Sequence, residues 1–138
     1  VCTPAFSHRL TASAVSPMEQ GPLIHLEAES VSPWLDWSTY LSSRQLSVSP
    51  QGSPGDLRFN TYALVVQAAM AGQGIALGWL GIIDHLLDAN LLVMTGELVT
   101  VAERGYWLVP GRASEAVQLL AGWLVEETST SSLERIPG

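Results

Sequence analysis

Residues 60–79, NTYALVVQAAMAGQGIALGW, constrain the fold more tightly than any other stretch. From Tyr62 to Ala71 only Gln67 interrupts an apolar surface, which predicts a helix buried on most sides. Asn60 or Thr61 can cap its start, and Gly72 can take the left-handed position at its end. Gly74 then lets the chain turn into a short apolar strand, IALGW, a turn that needs a residue without a side chain. A helix apolar almost all round, followed at once by an apolar strand, belongs between a sheet and a second surface.

The flanking segments repeat the alternation. Val1 to Gln20 reads as a strand end plus loop, and a Gly-Pro turn introduces a strand at Leu23, Ile24 and Leu26. SVSPWLDWSTYL predicts a helix with Ser32 as cap, Pro33 at its first position, and Trp34, Trp37, Tyr40 and Leu41 on one face. The polar loop SVSPQGSPGD leads to a short segment at Leu57–Phe59. After the central unit, LGIIDHLLDAN predicts a helix with Leu80, Ile83, Leu86 and Leu87 inward and Asn90 as a left-handed stop. LLVM and YWLVP read as strands. SEAVQLLAGWLVEE reads as a helix capped by Ser114, with Val117, Leu120 and Leu124 on one face, and a polar tail expected to be disordered covers 128–138. The expected class is α/β, with a mostly parallel sheet covered by helices.

Charge narrows the partners. Thirteen acidic residues face six arginines and no lysine, a net charge of -7, so this segment should not be what grips a DNA backbone. No apolar run is long enough for a bilayer; Leu77–Met94 comes closest and is broken by Asp84, His85, Asp88 and Asn90. Cys2 has no partner for a disulfide, and with no visible secretion signal the expected compartment is the cytoplasm. The chain opens VCTPAF without Met, so an upstream portion is expected.

Few residues suggest catalysis. AGQGIALG has glycines, but its loop closes a helix and opens a strand, the reverse of a dinucleotide-binding loop. His8, His25 and His85 lack metal-ligand spacing, so no metal and no cofactor is expected, and His25 reads as a satisfied histidine or part of a polar edge. There is no G-x-S-x-G elbow, and Cys2 has no base beside it in sequence, so no catalytic residue is assigned.

Two features bear on binding, each with two readings. The tryptophans Trp34, Trp37, Trp79, Trp107 and Trp123 either fill the core and its rim or offer aromatic faces to an organic cation. The helix start at Asn60, Thr61 and Tyr62 either caps itself or presents free N–H groups to a carboxylate or sulfate.

RFNTYALVVQAAMAGQGIALGWLGIIDHLLDANLLV, followed by GYWLVPGRASEAVQLLAGWLVEE, resembles the effector-binding domain of LysR-type transcriptional regulators. VCTPAF is similar to the family's hinge segment, and PLIHLE, WLDW and GQGIALGW are most similar to the branch of glycine-cleavage activators and choline-sulfate-associated regulators. The likeness runs from Val1 to Glu127. It implies a periplasmic-binding-protein-like (type II) lobe truncated from a two-lobed domain. Residues 1–100 would form the second lobe, and 101–127 the return strand and final helix of the first. It further implies a cleft for a small-molecule effector, a location rather than a chemistry; the helix start and the tryptophans above are what suggest a small carboxylate or a quaternary ammonium compound. The positions it assigns to the cleft are Thr3 and Pro4 in the hinge, Asn60, Thr61 and Tyr62 at the helix start, and Gly78 and Trp79 at the strand end. The implied protein is a cytoplasmic homo-oligomer that reaches DNA through an N-terminal domain outside this sequence and has no membrane partner. Two other classes remain: a two-lobed solute-binding protein serving a transporter, and a small α/β enzyme.

Overall fold

The computed structural model describes residues 1–10, 17–27, 35–46, 55–100, 108–109, 111 and 114–133. The chain divides into two compact units, Val1–Thr100 and Val101–Gly138.

The first unit is mixed α/β, built on three parallel strands: β1 (Leu23–Leu26), β2 (Leu57–Phe59) and β3 (Ile75–Ala76), in the order β2-β1-β3. β1 is therefore central, with His25 opposite Arg58 on one side and Leu23 opposite Ile75 on the other. Side chains alternate across a strand, so neighbours in sequence enter different cores. Leu23 and Ile75 join one buried cluster, while Ile24 and Ala76 join a second. Burial on both faces explains why LIHL and IA read as nearly continuous apolar runs.

The first cluster is closed by α1 (Pro4–Leu10), α2 (Pro17–Gln20) and α3 (Trp37–Ser43), through Phe6, Leu10, Met18, Trp37, Tyr40 and Leu41. The second is closed by α4 (Tyr62–Met70) and α5 (Asp84–Asp88), through Val65, Ala68, Ala69, Ile83 and Leu86. Each fully buried Leu or Ile contributes about 1.5–3 kcal/mol, against about 0.5–1.5 kcal/mol net for one hydrogen bond, so these clusters dominate the stability of the unit.

Several segments depart from expectation. The first twenty residues contain α1 and α2 where a strand end and loop were expected. The overlooked signal is Thr3-Pro4: Thr3 Oγ1 accepts from the Phe6 N–H at 3.3 Å, and Pro4 fits a first helical turn. Val1 and Ala76 exchange backbone hydrogen bonds of 2.7 and 2.9 Å, and Cys2 forms an antiparallel bridge to Val93. That bridge is all that the described residues show of the strand expected at LLVM.

The helix expected from Pro33 instead starts at Trp37, because Asp36 caps it by accepting from the Thr39 N–H at 2.7 Å. Ser32, Pro33 and Trp34 lie outside the described residues. α4 is not buried on most sides: Val65, Ala68 and Ala69 face the sheet, while Leu64 and Met70 are 43% and 40% exposed. One sheet layer covers one side of a helix, and an apolar sequence does not say which side is left over. Gly72 does take the left-handed conformation, with φ of +69°, and so does Asn90 at +54° after α5. Leu80 is exposed, contrary to its expected inward position, because α5 begins only at Asp84.

The second unit contains α6 (Glu115–Leu133), whose first turn is capped where Ser114 Oγ accepts from the Val117 N–H at 3.4 Å. It continues through 128–133, which was expected to be disordered, and Val117, Leu120 and Leu124 on it are exposed. Leu108 and Val109 of the expected YWLVP strand are not in a strand, and Gly105–Trp107 and Pro110 lie outside the described residues. No helix among the described residues is long and apolar enough to cross a membrane.

Gly74 is required for a reason other than a turn conformation. A Cβ there would sit 2.5 Å from the Pro22 carbonyl oxygen, which is backbone and accepts the Ile75 N–H at 2.9 Å. Gly74→Ala should cost about 3 kcal/mol in urea unfolding, at the upper end for overpacking, and Gly74→Val more. A Gly74→Val chain that unfolds at the parent's midpoint would contradict this placement of β3.

Candidate functional site

β1 is followed by α3 on one face of the sheet, and β3 by α5 on the other. The loops after these neighbouring strands thus diverge, which opens a crevice at their carboxyl ends, the usual ligand position in open α/β sheets. A crevice lies there, lined in part by Leu26 and Leu77. Tyr62 of α4 and Trp79 form part of its lining, with Asp36 and Trp37 from the start of α3 and His25 from β1. Its volume is about 50 Å³, room for a few waters and too little for a larger ligand as it stands.

The aromatic residues are held by their polar atoms. Tyr62 Oη accepts from the Trp79 N–H at 2.9 Å and donates to the Leu77 carbonyl at 3.3 Å, pinning the chain after β3 to the first turn of α4. The two rings meet edge to face, with centroids 6.3 Å apart and planes at 80°. Trp37 is 4% exposed and its indole N–H donates to the Ile24 carbonyl at 2.8 Å, so it belongs to the core as well as to the lining.

The polar residues are also organised. Asp56 Oδ1 accepts from the Leu23 N–H at 2.8 Å, and its Oδ2 lies 3.3 Å from His25 Nε2. The Asp56 side chain is 5% exposed and that of His25 20%, so a largely covered carboxylate orients a histidine that reaches the crevice. His25 is thus a satisfied histidine on the central strand, not an edge residue. One register step along, Arg58 pairs with Glu27 at 2.8 Å. Burial pushes the Asp36 carboxyl up, but hydrogen bonds from Thr39 and Ser38 outweigh it and leave the pKa below its ordinary value.

Of the seven cleft positions expected from sequence, the structure brings Tyr62 and Trp79 together in the crevice. Asn60 and Thr61 are exposed at the start of α4 and do not line it; Thr61 Oγ1 donates to Asn60 Oδ1 at 3.2 Å, and Thr61 makes no side-chain cap bond. Gly78 sits between Leu77 and Trp79, yet a Cβ on it would point at Ile83 and Val1 and away from the crevice. Thr3 and Pro4 are elsewhere. Thr3 Oγ1 lies beside Gly72, at the far end of the nine-residue α4, roughly 13 Å of helix from Tyr62.

Sequence reasoning passed over Leu26, Leu35 and Asp36 as lining residues, and Asp56 as a support. The Asp36 signal was there, an acid three residues before the N–H it caps; the Asp56–His25 pair spans 31 residues and depends on strand register. Cys2 is fully buried, and desolvation raises its thiol pKa, which disfavours the thiolate a nucleophile needs. Among the described residues no group of three or more His, Cys, Asp or Glu is placed to hold a metal.

Comparisons with protein-family models, with curated proteins and with solved structures found no match for this chain.

Tyr62→Phe removes both hydroxyl bonds and leaves the Trp79 N–H without that partner. It should cost about 1–3 kcal/mol of stability and speed exchange at the Trp79 amide, read by urea unfolding and hydrogen exchange. An unchanged Trp79 exchange rate would show that the hydroxyl does not hold this wall.

Proposed function

We propose that the chain is the effector-binding portion of a bacterial LysR-type transcriptional regulator, within a periplasmic-binding-protein-like (type II) lobe. The observation that carries the proposal is the meeting of Tyr62 and Trp79 at the carboxyl ends of β1 and β3. Both positions are among those the family resemblance assigns to a ligand cleft, and they lie 17 residues apart in sequence. The strand order β2-β1-β3 and the helices on both faces are compatible with such a lobe.

In this reading a small-molecule effector enters the crevice and is covered by the first lobe of the domain, most of which lies beyond this sequence. An effector that binds one arrangement of the protein better than another shifts the population toward it, and so changes how the regulator sits on DNA. DNA contact falls to an N-terminal domain beyond this sequence, in keeping with a net charge of -7 here. Subunit pairing uses the outward face of α4, where Leu64 and Met70 are exposed. The protein acts in the cytoplasm, and the chain carries out no catalysis.

The test is to read the coding sequence upstream of Val1. A winged helix-turn-helix followed by a first α/β lobe is expected. A secretion signal without a DNA-binding domain would contradict the regulator reading and favour a solute-binding protein of a transporter.

A further inference from the structure

We draw no further inference here: the strongest candidate, the apolar surface of α6 in the second unit, where Leu119, Leu120, Trp123 and Val125 are exposed, carries nothing because nothing in the structure shows what covers it.

Discussion

The structure depends on the seating of β3 against β1. The Ile75 N–H reaches the Pro22 carbonyl at 2.9 Å, and Gly74 passes so close that a Cβ would overlap that oxygen. This approach places Leu23 opposite Ile75 and Ile24 opposite Ala76. From that register the two cores follow, since each adjacent pair sends one side chain to either face. A slip of one residue would send Ile75 to the wrong core, which is why the register is strongly specified.

The same seating creates the crevice. With β1 leading to α3 on one face and β3 leading toward α5 on the other, the chain diverges where Leu26 and Leu77 line the crevice. The walls are then held by polar atoms bonded to backbone. Tyr62 ties α4 to Trp79, Trp37 ties α3 to Ile24, and Asp56 ties β2's approach to Leu23 and His25. Side chains locked this way lose little freedom when something binds against them, which favours a preorganised surface over an adaptable one.

Periodicity and punctuation carried most of the fold. The alternation from Leu23 to Asn90 was legible because apolar runs of strand and helix length are separated by Gly, Pro and Asn at positions with the matching backbone, as Gly72 and Asn90 show. The start of α3 was misjudged because the sequence offers two capping signals within five residues, and the Asp36 carboxylate accepts the Thr39 N–H at the start of the described helix. The exposed side of α4 was illegible since Leu64 and Val65 are equally apolar; only the three-dimensional position of the sheet separates them. Of the expected cleft positions, Tyr62 and Trp79 line the crevice, while Thr3 lies beside Gly72, because the chain after Cys2 runs toward the opposite end of α4. The Asp56–His25 pair depends on register between β1 and β2, which no local pattern encodes.

The central claim is a sheet centred on β1 with a preformed wall at the ends of β1 and β3. Residue-resolved amide hydrogen exchange tests it most directly. The Ile75 amide on Pro22, the Glu27 amide on Phe59 and the Trp79 amide on Tyr62 should be protected together and released in one cooperative opening of the unit. Ile75 and Glu27 protected while Trp79 exchanges like a free loop would show that the wall is not preformed. Fast exchange at all three would contradict the seating of β3 on which the account rests.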